Sequence, residues 1–171
     1  MNKEKLKKAI KELIPYVIIL VVVLTIRTFF FTLVLVSGDS MVPTLESGNL
    51  MILNKVSDID RFDIVVIDTG SEEIIKRVIA LPGETISCEN GIMYVNGRKQ
   101  EENYSVKTEF CTADNKASFD KIELGKDEYY CLGDNRDISK DSRYYGPFKK
   151  KQIKGTTKIR LFPFGGFGKV K

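Results

Sequence analysis

The chain has 171 residues, a length that accommodates one folded domain and one membrane anchor. Its net charge is +4, and +3 of this lies in the first twelve residues, which contain five lysines and two glutamates. The remaining residues carry only +1. This distribution argues against a nucleic-acid-binding protein, because such a protein needs clustered positive charge on its folded part.

An apolar segment follows the lysine-rich start and predicts a membrane-spanning helix. Residues 13–31 make up 19 positions, close to the ~20 that a bilayer requires, and Arg27 lies near their end, where its side chain can reach the interface. A cleaved signal peptide is one alternative, but no small-x-small cleavage site follows. A buried core helix is another, which the basic start disfavours.

The charge pattern also predicts how the chain is divided and oriented. Lysines near a span stay on the cytoplasmic side, so we expect a cytoplasmic tail at 1–12, a transmembrane anchor at 13–31 and an extracytoplasmic domain at 32–171. The expected location is therefore the cell membrane, with a single pass and the N-terminus in the cytoplasm.

Short strands separated by turn residues predict that the domain at 32–171 is mostly β, antiparallel and partly barrel-like. The dipeptide Asn96-Gly97 is the strongest hairpin signal. Residues 99–120 are polar and poorly patterned, which predicts a variable loop or an insertion. The predicted strands are 50–54, 63–67, 73–81, 85–87, 92–95, 128–132 and 157–162.

Three cysteines, Cys88, Cys111 and Cys131, lie in the predicted outer domain. Their spacing matches no metal-binding motif. Outside the cytoplasm Cys88 and Cys111 could pair and close the loop between them. The alternative, slightly favoured because the number of cysteines is odd, is that all three are small buried apolar residues.

Two residues point to hydrolytic chemistry: Ser40, within the run SGDSMVPT at 37–44, and Lys76, inside an apolar strand. The sequence contains no histidine, which excludes a serine–histidine pair and leaves a serine activated by a lysine. A lysine acts as a base only after losing its proton, and burial among apolar neighbours lowers its pKa from about 10.4. The alternative is a solvated lysine on an edge strand.

A third polar segment, GDNRDISKDSR at 133–143, follows a predicted strand. It could be a solvated loop with Asx turns. It could instead support a catalytic site, with the Ser139 hydroxyl orienting the lysine amine while Asp and Arg pairs hold the loop.

Taken together, the three segments resemble the type I signal peptidases, membrane-anchored serine proteases that remove signal peptides from exported preproteins. Ser40 with Met41, Pro43 and Thr44 resembles the nucleophile motif of that family. The runs KR at 76–77 and LPG at 81–83 resemble its lysine motif, and 133–143 resembles its last motif. The order, the spacing and the preceding anchor agree, so the resemblance covers nearly the whole chain.

The resemblance implies a role for each matching residue. Ser40 would be the nucleophile and Lys76 the general base, and Ser139 would form a hydrogen bond with the lysine amine. Gly38 is a departure, because some relatives have a serine there as a second oxyanion donor, which glycine cannot supply from a side chain. The implied salt bridges that hold the site are Arg77 with Asp134 and Asp141 with Arg143.

The resemblance also implies partners and the absence of a cofactor. Exported preproteins and membrane lipid would be the partners, nucleic acid would not, and no metal or cofactor would be needed. One anchor and a short outer domain look like the compact forms of bacteria without an outer membrane. Six phenylalanines are candidates for membrane contact or, equally, for strand packing and the core: Phe29, Phe30, Phe31, Phe162, Phe164 and Phe167.

Two other functions remain open. A self-cleaving repressor peptidase would use the same Ser/Lys pair, but it would be cytoplasmic with a DNA-binding region. A non-hydrolytic assembly factor on the same fold, such as a pilus-assembly helper, would be free to lose Ser40 or Lys76, and this chain keeps both. A specialised peptidase for pilin-like clients lies between these readings.

Overall fold

The structure is a computed structural model that describes residues 3–102, 104, 106 and 118–170. It contains helices α1 (Lys3–Phe29) and α2 (Ser142–Tyr145) and the short 3-10 helices Lys150–Gln152 and Phe164–Gly166. The strands are β1 (Phe31–Leu35), β2 (Leu50–Asn54), β3 (Ile64–Asp68), β4 (Glu73–Ala80), β5 (Thr85–Glu89), β6 (Ile92–Val95), β7 (Arg98–Lys99), β8 (Phe119–Glu123), β9 (Glu128–Leu132), β10 (Phe148–Lys149), β11 (Ile153–Phe162) and β12 (Gly168–Lys169).

Helix α1 contains the predicted span. Its stretch Ile10–Phe29 is the one helix, within the part of the chain that the structure describes, that is long and apolar enough to cross a membrane. None of this stretch is buried against the rest of the protein. Because α1 runs without interruption from Lys3, the division of the chain at residues 12 and 31 stays a prediction.

Most of the remaining described residues form two antiparallel sheets, which confirms the predicted class of a mostly antiparallel β domain. The larger sheet has eight strands in the order β1-β2-β11-β3-β4-β9-β10, with β12 paired to β11. The smaller has the order β7-β6-β5-β8. Among the described residues the larger sheet ends at β1 and β10 rather than joining them, so the barrel-like core is not a closed barrel.

Strand β4 lies inside the larger sheet, between β3 and β9, and this position determines the surroundings of Lys76 and Arg77. Lys76 is paired with Val65 of β3, and Arg77 with Leu132 of β9. Further along β4, Ile79 and Ala80 pack against the smaller sheet in a fully buried cluster. The two cationic side chains of β4 are therefore carried by a strand that is buried along most of its length.

The predicted strand positions are largely confirmed. Strands β2 and β6 have the predicted bounds, and Asn96 and Gly97 form a two-residue hairpin loop with φ values of 52° and 72°, in the left-handed region. Strand β1 was not predicted, and β11 is longer than the predicted strand at 157–162 because it begins at Ile153. Residues 119 and 120, at the end of the predicted loop 99–120, belong to β8, and most of that loop lies outside the described residues.

The cysteines differ in their states. Cys131 is free and buried in β9. Cys88 is fully buried and disulfide-bonded, which corrects the preference for an unpaired residue there. Cys111 lies outside the described residues, so the pairing of Cys88 with Cys111 stays a prediction.

Candidate active site

Ser40 lies in the turn region between β1 and β2, where the chain is held by buried apolar side chains. Met41 and Leu45 are 1% and 0% exposed, and the Leu45 N–H donates to the Met41 carbonyl at 2.9 Å. From the other side, the Asn135 backbone N–H donates to the Ser40 carbonyl at 3.0 Å. The serine is thereby fixed by its own turn and by the segment that follows β9.

Lys76 reaches Ser40 from the middle of β4. Its Nζ donates to Ser40 Oγ at 2.8 Å, and its side chain is almost fully buried, with 3% of the residue exposed. The alternative of a solvated lysine on an edge strand is therefore wrong. Burial lowers the pKa of Lys76 from 10.5 to about 8, opposed mainly by the negative charge of Asp141. A base of this strength can exchange a proton with a serine hydroxyl near neutral pH.

The pKa of Lys76 predicts the pH dependence of any reaction in which it is the base. With a pKa of about 8, about a tenth of the enzyme has a neutral Lys76 at pH 7, so kcat/KM should rise roughly tenfold between pH 7 and a plateau above about pH 9. The measurement is kcat/KM for one substrate from pH 6 to 10. A flat profile from pH 6 upward would contradict Lys76 as the base.

The same pKa predicts that Lys76 destabilises the fold at neutral pH. Since the folded protein releases the Lys76 proton at a lower pH than the unfolded chain, the unfolded chain binds more protons between pH 8 and 10.5, and stability rises with pH in that window. At pH 7 the folded protein bears the full free-energy cost of burying the Lys76 ammonium. Lys76→Met should then raise the free energy of unfolding by up to about 3 kcal/mol. The gain is reduced by the stabilisation that the lost hydrogen bond to Ser40 provided.

Urea unfolding of wild type and Lys76→Met at pH 7 and pH 10.5, in the same detergent, measures this cost. We expect the gain to be present at pH 7 and to have largely disappeared at pH 10.5. An equal gain at both pH values would indicate packing rather than the buried charge. Destabilisation at pH 7 would contradict the expected cost of burying the ammonium.

The predicted pair Arg77 and Asp134 forms a buried salt bridge next to Lys76. Arg77 Nη2 lies 2.7 Å from Asp134 Oδ2 and its Nε donates to Asp134 Oδ1 at 2.9 Å, with side-chain exposures of 2% and 1%. Arg77 Nη1 also donates to the Phe62 carbonyl, and the Thr44 hydroxyl donates to Asp134. This arrangement ties β4 to the start of the segment 133–143 and to the turn that carries Ser40.

The second predicted pair, Asp141 and Arg143, stabilises the segment 133–143 through contacts between residues of that segment. Arg143 Nη2 and Nε each lie 2.8 Å from an Asp141 carboxylate oxygen. Asp141 also accepts from the Gly133 N–H at 3.0 Å and caps α2, while Arg143 Nη2 donates to the Arg136 carbonyl at 2.7 Å. The loop is folded onto itself by charge-assisted hydrogen bonds rather than solvated.

Ser139 is buried but does not make the expected contact with Lys76. The Ser139 hydroxyl has no hydrogen-bond partner among the described residues. It packs against Gly133, where an added Cβ would lie 2.2 Å from Ser139 Oγ and 2.5 Å from the Ser40 carbonyl oxygen. Ser139 is thus close to the Ser40 turn, and its role toward the lysine stays a prediction.

Sequence reasoning missed the roles of Gly133 and Thr44. Gly133 allows the close approach of Ser139 and the Ser40 backbone, and any side chain there would displace one of them. Thr44 joins the Arg77–Asp134 pair. Both belong to segments already singled out, but a contact between segments that are about 90 residues apart leaves no local pattern in either.

A narrow cavity of about 210 Å³ opens beside Ser40 and Lys76. Its walls are the end of β1 and the residues after it, including Val34, Val36 and Gly38, and the start of β4, including Ile74. Gly38 has a φ of +83°, and no atom of the described residues lies within 4 Å of where its Cβ would be, so it leaves this wall open. A serine, a lysine of lowered pKa and an adjoining cavity can together carry out acyl transfer.

Comparison with known proteins identifies the family. A sequence model described as signal peptidase, peptidase S26, matches residues 9–162. The chain belongs to this family. A signal peptidase I of Bacillus caldolyticus is 40% identical over 180 residues, covering 98% of this chain and 98% of its own length. Signal peptidase I S of Bacillus subtilis strain 168 is 36% identical, covering 96% and 95%.

Among solved structures, a signal peptidase I from Enterococcus faecalis is 28% identical, with a TM-score of 0.49, and the match covers 59% of this chain and 97% of that one. The family and the near-full-length relatives confirm the predicted function of a type I signal peptidase, a serine endopeptidase. They do not favour the non-hydrolytic assembly factor. With its apolar N-terminal helix, the chain has the character of a membrane-anchored enzyme.

Proposed function

We propose that Ser40 and Lys76 carry out the hydrolysis, with Ser40 as nucleophile and Lys76 as general base. The observation that carries this proposal is the 2.8 Å contact between Lys76 Nζ and Ser40 Oγ, made by a lysine that is almost fully buried. Burial favours the neutral amine, and only the neutral amine can accept the serine proton.

In the first half of the reaction, Lys76 Nζ takes the proton of Ser40 as Oγ attacks the scissile carbonyl. The tetrahedral intermediate collapses with cleavage of the C–N bond, and the Lys76 ammonium returns its proton to the leaving amine. In the second half, water attacks the ester on Ser40 while Lys76 accepts its proton, and the Lys76 ammonium then returns the proton to Ser40 Oγ as the ester C–O bond breaks. The products are a free carboxylate, a free amine and the regenerated serine.

The Ser40 backbone N–H is the proposed donor to the developing oxyanion. A second donor cannot come from a side chain at position 38, because Gly38 has none. Removal of one such donor costs about 2.7–4 kcal/mol in comparable acyl-transfer sites, so its source matters for the rate. Ser139 and the two salt bridges would act as support, by holding the Gly133 segment against the Ser40 turn.

The substrates in this proposal are exported preproteins with signal peptides. The end of the signal peptide would lie extended along the cavity between β1 and β4, as an added strand. Because that cavity is only about 210 Å³, it favours small side chains next to the scissile bond. This agrees with the A-x-A-like pattern at which signal peptides are cut.

The anchor would place this cavity close to the membrane, with residues 1–12 in the cytoplasm and the catalytic domain at 32–171 outside. The six phenylalanines at 29–31, 162, 164 and 167 are available for membrane contact, because all are exposed rather than in the core, from 44% at Phe30 and Phe31 to 81% at Phe164. Lipid would contact these side chains. Nucleic acid is not a proposed partner.

The proposal is tested by incubating the purified full-length protein, in lipid vesicles, with a preprotein that bears a signal peptide. Mass spectrometry of the products should show a single cut after a small residue at the end of the signal peptide. A matched preprotein with a bulky residue at that position should remain intact. Equal cleavage of both preproteins would contradict the proposed binding mode.

A further inference from the structure

A second open cavity adjoins the Ser40 turn and differs in chemistry from the narrow one. It has a volume of about 490 Å³, and its lining shares no residue with the cavity between β1 and β4. Asp39, Glu46 and Asp137 are part of the lining, and none of the lining residues within the described part of the chain is basic. We call it the acidic cavity. Its charge makes it a poor site for anions and a favourable one for cations.

Asn135 also lines the acidic cavity, and its side-chain amide is a second feature that does not depend on the three carboxylates. It is 2% exposed, and its Nδ2 donates to the Asp39 carbonyl at 3.1 Å, which fixes the orientation of the side-chain amide. The opposite amide atom, Oδ1, is buried and accepts no hydrogen bond from the described residues. Buried acceptors are rarely left unpaired, because the loss of hydration is costly. An acceptor beside the nucleophile therefore lacks a donor.

A substrate polypeptide that Ser40 attacks extends on both sides of its scissile bond, so the enzyme has to accommodate both parts. The narrow cavity lies against β1, which directly follows the apolar helix α1, so it suits the end of a membrane-embedded signal peptide. The chain on the leaving-group side must then run along another part of the Ser40 turn. The acidic cavity meets this requirement, because Asp39 and Val42 of the same turn form part of its lining.

We propose that the acidic cavity binds the first residues of the mature protein and prefers basic over acidic side chains there. This inference rests on the proposed function. Asn135 Oδ1 supplies an acceptor for a substrate donor, and the three carboxylates supply the charge preference. All three are on exposed residues, so solvent and salt weaken their effect. The preference is expected to be on the order of tenfold in kcat/KM at low ionic strength, and smaller at high salt.

Three preproteins that differ only at the second mature residue, as Lys, Gln or Glu, test this preference. Wild type in lipid vesicles should cleave them in the order Lys, Gln, Glu. The triple variant Asp39→Asn/Glu46→Gln/Asp137→Asn should cleave all three with a Lys-to-Glu ratio near one. A control variant with the same change of net charge, Glu89→Gln/Asp120→Asn/Asp127→Asn, alters exposed carboxylates outside the cavity and should retain the wild-type ratio.

The outcomes separate this inference from the function on which it rests. Cleavage of all three substrates with a ratio near one in wild type would overturn the charge preference and leave the peptidase function standing. Retention of the ratio in the cavity variant would place the source of the preference elsewhere on the protein. Loss of the ratio in the control variant would assign the preference to the protein's overall charge. Either result would overturn the inference. No cleavage of any substrate by wild type would overturn the proposed function and this inference with it.

Discussion

Ser40→Ala and Lys76→Ala are each expected to abolish preprotein cleavage, lowering kcat/KM by on the order of 10⁴–10⁶-fold. Without Oγ there is no atom to form the acyl-enzyme, and without Nζ that oxygen loses the base that lies 2.8 Å from it. Because the two atoms act in one step, the double variant should be about as inactive as either single variant. Initial rates on one preprotein, measured in lipid vesicles, give the three values.

Two nearby residues provide matched controls. Ser71→Ala removes an exposed hydroxyl shortly before β4, at a residue that does not line the cavity beside Ser40, and Lys55→Ala removes a lysine whose Nζ donates to backbone carbonyls at the end of α1. Both should retain cleavage within a few-fold of wild type. Residual activity above about one hundredth of wild type in Ser40→Ala would show that another group performs the attack.

Asp134→Ala is expected to destabilise the catalytic domain by about 3–5 kcal/mol, because it leaves the Arg77 guanidinium buried without its carboxylate. Arg77 is 2% exposed and lies in an interior strand, so it cannot turn out to solvent without opening the sheet. Cleavage should fall as well, since the pair joins β4 to the segment that holds the Ser40 turn. Urea unfolding of the full-length protein in detergent measures the loss.

The chain offers a matched control for this prediction. Asp68 lies 2.7 Å from Lys154, the same separation as Asp134 from Arg77, but the side chains of that pair are 39% and 43% exposed. Asp68→Ala should leave the free energy of unfolding nearly unchanged, because water replaces the lost partner. Equal destabilisation by the two substitutions would show that burial is not what makes the Arg77 pair important.

Most of the catalytic arrangement could be predicted from the sequence, because it depends on short local patterns and on a residue type that the chain lacks. The lack of histidine left lysine as the base for Ser40, and the apolar neighbours of Lys76 predicted its burial. The hairpin at Asn96-Gly97 depends on two residues that tolerate positive φ, so it too could be predicted locally. The resemblance to a known family supplied the pairing of Arg77 with Asp134, which spacing alone could not give.

Features that depend on contacts between distant segments were missed. Strand β1 follows directly on an apolar helix, so its residues read as a continuation of the span. Strand β11 has register shifts against β2 and β3. Such irregular strands lack a regular alternation of apolar and polar side chains in the sequence. The free Oδ1 of Asn135 depends on the fold around it, which no local pattern encodes.

The central claim, that a buried lysine of lowered pKa activates Ser40, is tested most directly by measuring the pKa of Lys76 itself. NMR titration of the full-length protein with labelled lysines, in detergent, can follow the Lys76 resonance, assigned by its absence in Lys76→Met. We predict a midpoint near 8 that coincides with the midpoint of the kcat/KM profile. A midpoint near 10.5, with cleavage already maximal at pH 7, would contradict the claim.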